Sequence, residues 1–263
     1  MEKKVVIVTG AGSGIGAAAA KDLYESGWRV YDFSRRDRVQ NGVRHIACDV
    51  SDEAQVMSAV KKVMEIDGRI DVVINNAGFG ISGAVEFTHA EESHRQMNVN
   101  LFGMDNMVRT VLPIMRRQGK GRIINLSSVA ADLPVPFQAW YSASKAAIEA
   151  YTLALENEVR PFGISVCCVL PGDIATGFTA AREKFHEGND IYGGRIDRAV
   201  NAMEKDETGG MSPDDAGRIL RRLAGKSRVK STYVIGFKYK LFMLLKRLLP
   251  TTLVNRIEGI LYR

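Results

Sequence analysis

Short apolar runs rich in β-branched residues alternate with longer stretches of helical periodicity along most of this 263-residue chain. The runs at residues 5–8, 29–33, 43–47, 72–74, 122–126, 165–170 and 232–235 are predicted to be strands. Between them, residues 14–26, 52–67, 90–117, 139–162 and 213–223 repeat apolar positions at three- and four-residue spacing and are predicted to be helices. Strands that alternate with helices form a parallel sheet covered on both faces. The pattern therefore predicts an α/β fold with a single doubly wound parallel sheet, whose ligands sit at the carboxyl ends of the strands. Periodicity is lost between residues 176 and 211, where Gly177, Gly188, Gly193, Gly194, Gly209 and Gly210 gather. That segment reads as a mobile lid over a substrate.

Composition narrows the class without changing the fold. An apolar share of 46% and a charged share of 25% are those of a globular protein, and no Pro-rich or Gly/Ser-rich linker divides the chain. No stretch approaches the roughly 20 uncharged apolar residues of a membrane span. The first strand begins by Val5, which leaves no room for a signal peptide and favours a cytoplasmic location. Cys48, Cys167 and Cys168 are odd in number and read as buried thiols. His45, His89, His94 and His186 show no ligand spacing, so no metal site is expected. The net charge of +6 is unevenly spread: residues 221–263 hold eleven basic side chains against Glu258, which leaves the preceding residues net acidic.

Candidate chemistry lies at the carboxyl ends of the predicted strands. The first strand runs into Thr9-Gly10-Ala11-Gly12-Ser13-Gly14-Ile15-Gly16 and then an alanine-rich helix. Gly10 permits a tight turn, Gly14 lets a phosphate approach the backbone, and Gly16 lets the helix pack on the sheet. The helix N-terminus then offers free N–H groups to a pyrophosphate. Further along, Tyr141-Ser142-Ala143-Ser144-Lys145 sets a phenol and an ammonium four residues apart on one helical face. Ser128 stands thirteen residues upstream at the end of an apolar run. A nearby ammonium favours the phenolate, which suits Tyr141 to acid/base work on a carbonyl or alcohol.

These blocks, in this order, resemble the short-chain dehydrogenase/reductase family over residues 4 to about 235. Thr9 to Gly16, Asn75-Asn76-Ala77-Gly78, Asn100 in Val99-Asn100-Leu101, Ser127-Ser128, Tyr141-x-x-x-Lys145 and Pro171-Gly172-Asp173-Ile174-Ala175-Thr176 carry the resemblance. It implies a Rossmann-type domain over residues 1–235 that transfers hydride between a nicotinamide and a ketone or secondary alcohol. Tyr141 would exchange the proton, Lys145 would lower the Tyr141 pKa and hold the nicotinamide ribose, and Ser128 would bind the substrate oxygen. Asn100 would anchor a water that relays protons to Lys145. Ser127 is the rival serine, but the thirteen-residue spacing to the tyrosine selects Ser128.

The resemblance also places a cofactor. Gly10, Ser13, Gly14, Ile15 and Gly16 would cradle the pyrophosphate, and Asp49 with the Val50 backbone would meet the adenine. Asn76, Ala77 and Gly78 would line the adenosine side, while Pro171, Gly172, Ile174 and Thr176 would hold the carboxamide end with Tyr141 and Lys145. At the tip of the second strand stand Ser34, Arg35 and Arg36, a hydroxyl and two guanidiniums suited to a 2′-phosphate. NADP(H) is the expected cofactor. Asp32 and Asp37 flank that tip, and Ser13 stands where NADP(H)-preferring relatives often carry a basic residue.

Phe79, Leu133, Val135, Pro136, Phe137 and Phe178 flank the catalytic blocks without a basic residue among them, which favours an apolar steroid-, retinoid- or fatty-chain-like carbonyl substrate. A 3-oxoacyl-thioester reductase of the same family and a non-catalytic nucleotide-binding sensor are the alternatives. Residues 236–263 form a basic amphipathic helical extension, whose Leu248-Leu249-Pro250 run resembles steroid- and retinol-active members. It suits peripheral contact with an anionic membrane, a cover for the substrate pocket, or a subunit partner. A homodimer or homotetramer is the expected assembly. Nucleic-acid binding is not expected, since the tail lacks interleaved stacking aromatics.

Overall fold

The computed structural model describes residues 3–38 and 42–262. Seven parallel strands form its sheet: β1 (Val5–Thr9), β2 (Arg29–Ser34), β3 (Arg44–Ala47), β4 (Val72–Asn75), β6 (Gly121–Leu126), β7 (Ile164–Pro171) and β9 (Thr232–Ile235). Their order, β3-β2-β1-β4-β6-β7-β9, reverses direction between β1 and β4. A crevice opens at such a reversal, beyond the carboxyl ends of the strands. Two short strands, β5 (Ile81–Ser82) and β8 (Glu183–Lys184), pair separately above it.

Alternation along β1 divides the core in two. Val5 and Ile7 face one side, where α2 (Glu53–Asp67), α4 (Gly103–Gln118) and α5 (Ala139–Val159) pack, and Val6 and Val8 face the other. The second side holds α1 (Gly14–Glu25) and α8 (Pro213–Gly225), with Leu23 and Leu220 fully buried between helix and sheet. Each such aliphatic side chain contributes about 1.5–3 kcal/mol through burial. The two helices touch closely because Gly217 has no side chain: a Cβ there would sit 2.7 Å from the Ala18 backbone. Arg122, buried at the base of β6, donates to the carbonyls of Leu223 (2.6 Å) and Lys226 (2.5 Å) and so closes the end of α8.

Three expectations need correction. The predicted helix over 90–117 is broken: α3 (Ala90–Met97) passes through a π-helical turn at Asn98–Phe102 before α4 begins. Hydrophobic spacing runs on across the break, so periodicity alone does not reveal it. The predicted helix over 139–162 tightens into a 3-10 turn at Arg160–Phe162, where Pro161 lacks an N–H to donate. The loss of periodicity over residues 176–211 hides regular elements, for the segment contains α6 (Phe178–Ala181), β8 and α7 (Arg195–Thr208). Ile196, Ala199, Val200 and Met203 of α7 bury into a third, smaller core. The extension folds as α9 (Phe237–Leu248) and α10 (Thr251–Leu261). Among the described residues no helix is long and apolar enough to cross a membrane.

Candidate active site

A cleft of about 1170 Å³ runs along the carboxyl ends of the strands, from Ser34 and Asp49 at one end to Tyr141 and Ser128 at the other. Its floor is the glycine turn. Gly10 and Gly14 have φ of 69° and 56°, a left-handed backbone that only glycine adopts without cost. A Cβ on Gly16 would lie 2.5 Å from the Gly10 carbonyl oxygen, so glycine is required for the helix to start here. Ser13 opens α1 with no side-chain capping bond, and Ser13, Gly14 and Ile15 all line the cleft. First-turn N–H groups thus remain available to an anion.

Neighbouring loops are pinned to that floor by polar contacts. Thr9 Oγ1 accepts from the Asn76 and Ala77 N–H groups at 3.0 and 2.9 Å, and Asn76 Nδ2 donates to the Thr9 and Gly10 carbonyls. Asn76 therefore lines the cleft while spending its amide on the turn. Thr176 packs over Gly14, where a Cβ would meet it at 3.3 Å, and so closes the Pro171–Gly172–Ile174 side. Asp49 accepts from the Ser51 N–H and hydroxyl, while Asp52, not Asp49, caps α2. Asp49 and Val50 both face the cleft.

At the tip of β2, Asp32 points with Ser34 but is fully buried. Its Oδ1 accepts from the Ala11 N–H at 2.8 Å, and its Oδ2 takes the Ser34 hydroxyl at 2.6 Å and lies 2.8 Å from His45 Nδ1. Asp32 is buried beneath the glycine turn and does not line the cleft, so neither of its oxygens faces a ribose hydroxyl there. Arg35 and Arg36 are exposed at the cleft edge, and Asp37 does not line it. Arg38, which the sequence pattern did not single out, joins them: its Cβ would lie 3.3 Å from a Cβ on Gly12. A third arginine close behind the first two was the available signal.

The four candidate catalytic side chains converge at the other end. Ser128 Oγ accepts from the Ala130 N–H at 3.1 Å and lies close enough to the Tyr141 hydroxyl to draw its pKa down. Burial pushes the Tyr141 phenol up to about 12, against which Ser128 and, less strongly, Arg182 pull down. Burial pushes Lys145 down to about 8. Its Nζ donates to the Leu126 carbonyl at 3.0 Å and sits 5.6 Å from the centre of the Tyr141 ring. The expected lowering of the Tyr141 pKa by Lys145 is not what sets it in this state of the protein, where desolvation of both groups dominates. Ser127 turns away to donate to the Lys145 carbonyl at 2.7 Å.

Asn100 owes its position to the π-helical turn. Its Oδ1 accepts from the Phe79 N–H, and its Nδ2 donates to the Phe79 carbonyl and to Ser144 Oγ, each within 3.1 Å. Ser144 in turn donates to the Tyr141 carbonyl at 2.7 Å. A Cβ on Gly78 would lie 3.0 Å from Asn100 Oδ1 and 3.8 Å from Lys145 Nζ, so glycine there keeps the space between them open.

The substrate side departs from the apolar picture. Phe79, Leu133, Val135 and Phe178 line the cleft, but Pro136 and Phe137 do not. Phe137 has φ of 61° and turns its ring against Tyr192. The next residue, Gln138, enters the cleft almost fully buried, with its Nε2 lacking a protein partner among the described residues. Arg95 and Arg182 also reach the cleft region, each tied to a carboxylate, Glu183 and Glu207 respectively. Tyr239, Phe242 and Tyr262 of the extension form a wall, and the Tyr239 hydroxyl bonds Asp173. A Cβ on Gly172 would overlap the Tyr239 ring. No group of three potential metal-binding side chains comes together among the described residues.

The glycine turn and the Tyr141–Ser128–Lys145 cluster thus lie in one cleft. The sequence profile of the short chain dehydrogenase family matches residues 4–187. The chain belongs to that family. It is 40% identical, over all of its length and 99% of the relative's, to the 3-ketodihydrosphingosine reductase of Bacteroides thetaiotaomicron. A short-chain dehydrogenase from Streptomyces avermitilis superposes with a TM-score of 0.83 at 30% identity, covering 92% of this chain and 91% of that one. The 3-ketoacyl-(acyl-carrier-protein) reductase of Brucella melitensis, solved with NADH, gives a TM-score of 0.74 at 27% identity, over 89% and 97% of the two chains. The protein is thus an oxidoreductase with a nicotinamide-nucleotide fold.

Proposed function

We propose that this protein is an NADP(H)-dependent ketone reductase, or in reverse an alcohol dehydrogenase, acting on a fatty-chain substrate. The observation that carries the cofactor choice is the β2 tip: Arg35, Arg36 and Arg38 edge the cleft while Asp32 is buried below it. Guanidiniums bind a 2′-phosphate in a fork, and Asp32 does not face the ribose hydroxyls. The substrate class rests on the apolar wall of Leu133, Val135, Phe178 and Phe242 and on the 40% identity to a 3-ketodihydrosphingosine reductase.

The bound nicotinamide supplies or takes up hydride. Tyr141 gives its phenolic proton to the substrate oxygen in reduction, and its raised pKa keeps that proton in place until it is needed. Ser128 steadies the same oxygen as charge develops on it. Lys145 binds the ribose and, once protonated, lowers the cost of the phenolate; its pKa of about 8 lets it pass protons near neutrality. Asn100 holds the entrance to the gap that Gly78 leaves beside Lys145, where a water completes the relay to solvent. Gly10 to Gly16, Asp49, Val50, Asn76 to Gly78 and Pro171 to Thr176 bind the rest of the nucleotide.

A 3-oxoacyl-thioester reductase is the second reading, favoured by the Brucella melitensis likeness. We place the protein in the cytoplasm as a homodimer or homotetramer, in keeping with its three free buried thiols. The deciding experiment follows nicotinamide absorbance with 3-ketodihydrosphingosine, a 3-oxoacyl thioester, a steroid ketone and retinal, each with NADPH and NADH. Turnover of the first substrate with NADPH is the expected result. A clear preference for NADH overturns the cofactor assignment, and exclusive use of the thioester or the ring compounds overturns the substrate.

A further inference from the structure

Half of the exposed large apolar side chains among the described residues lie in the two helices of the extension. In α9, Phe237, Leu241, Leu244 and Leu248 follow one another at four, three and four residues, which lines them up on one face. Phe237 is 85% exposed and Leu248 74%. In α10, Leu253, Ile257 and Ile260 repeat the arrangement at four and three residues, each exposed. The opposite faces are committed to the protein, since Tyr239 and Phe242 of α9 and Glu258 and Tyr262 of the α10 end line the cleft. The apolar stripes therefore face away from the cleft, with nothing among the described residues covering them.

Charge identifies the occupant. Lys240 and Arg247, seven residues apart, flank the α9 stripe on one side and Lys238 on the other, while Arg256 adjoins the α10 stripe. Lys240, Arg247 and Arg256 have no acidic partner among the described residues. An apolar stripe between basic side chains is the design of a helix that lies in the headgroup layer, with its aliphatic residues dipped toward the acyl chains. A second copy seated on the same face would bring these like charges toward one another.

We propose that α9 and α10 form a monotopic platform that docks on an anionic phospholipid surface through these stripes, with the faces that wall the cleft turned inward. The docking stands on the helices alone and does not depend on the reaction assigned above. Docking would bring the enzyme to the surface in which a fatty-chain substrate dissolves, and only that consequence rests on the proposed function.

The test is sedimentation of the full-length protein with vesicles of equal parts phosphatidylcholine and phosphatidylglycerol, against vesicles of phosphatidylcholine alone. Binding is expected to the anionic vesicles and to be weak to the neutral ones. The double variant Lys240→Glu/Arg247→Glu should lose about twentyfold or more in partitioning, at roughly fivefold per basic residue removed. Leu244→Ser/Leu248→Ser should lose binding severalfold with no change in charge, and both variants should melt like the parent because the positions are exposed. Phe237→Trp supplies a readout that needs no disruptive change: its emission should shift to the blue on anionic vesicles. The proposal is overturned by absent binding to anionic vesicles, by unshifted emission from the Phe237→Trp variant, or by Leu244→Ser/Leu248→Ser binding as well as the parent. It is equally overturned if that double serine variant instead dissociates a homodimer in sedimentation velocity.

Discussion

The two ends of the cleft are built on opposite principles. At the Tyr141 end the polar groups are buried or half-buried and most are already bonded: Ser128 to the Ala130 N–H, Lys145 to the Leu126 carbonyl, Ser127 and Ser144 to α5 carbonyls, Asn100 to Phe79. At the β2 end, Arg35, Arg36 and Arg38 reach into solvent above a buried layer that includes Asp32 and Phe33. Proton transfer requires pKa values and distances to be fixed before the substrate arrives, and burial fixes both. Recognition of a phosphate requires only charge within reach, and flexible side chains supply it on contact. The first end resists change of any kind; the second tolerates it and changes preference.

Tyr141→Phe offers the strongest challenge to this contrast. It should lower turnover by a factor on the order of 10² to 10⁴ while nucleotide binding persists, as read by single-turnover kinetics and fluorescence titration. Retention of near-parent turnover would remove Tyr141 from the reaction. Ser128→Ala should lose on the order of 10² to 10³ in kcat, whereas Ser127→Ala should cost about 1 kcal/mol of stability and little rate, since its hydroxyl serves only the Lys145 carbonyl. Equal kinetic losses would mean the two serines have been assigned wrongly.

At the other end, Arg35→Ala/Arg36→Ala should raise KM for NADPH by roughly ten- to a hundredfold and leave NADH kinetics nearly unchanged. A matching loss with both cofactors would show that the arginines hold the loop and not the phosphate. The smallest effect is a pH dependence. Lys145 titrates at about 8 in the folded protein against 10.5 when unfolded, so between those values the unfolded chain binds the extra proton and stability rises with pH. Tyr141, raised from 10.0 to about 12, reverses the slope above pH 10. Denaturant titrations of the parent and of Lys145→Met should diverge in the parent's favour from about pH 8 to 10; parallel curves would mean that Lys145 is not desolvated.

Much of this contrast was legible in the sequence, unevenly so. The central strands β1, β4, β6 and β7 follow from β-branched runs, because a strand buried on both faces has no other way to be written, whereas the edge strand β3 is half exposed and carries a single β-branched residue. Tyr141, Lys145 and the glycines were legible because their chemistry demands fixed spacing. Gln138 was not, since its entry into the cleft depends on the left-handed backbone of Phe137, a conformation its residue type does not announce. The inward turn of Asp32 was half legible: alternation set it beside Ser34, but only three-dimensional packing brings His45 and the Ala11 N–H to its oxygens. In α7 the flanking glycines masked an apolar face that becomes visible once Ile196, Ala199, Val200 and Met203 are seen to share a core.

The π-helical turn at Asn98–Phe102 makes segment length a constraint separate from composition. Removing one residue there would let an unbroken α-helical ladder form from Ala90 to Gln118, with better local hydrogen bonding than the native turn. The wide turn takes up its extra residue without turning the helix beyond it, so Met107, Val111 and Met115 would keep their place on the sheet while Asn100 would be drawn away from Phe79 and Ser144. A deletion that improves the helix as a helix would thus spare the core beside it and undo the contacts that hold Asn100.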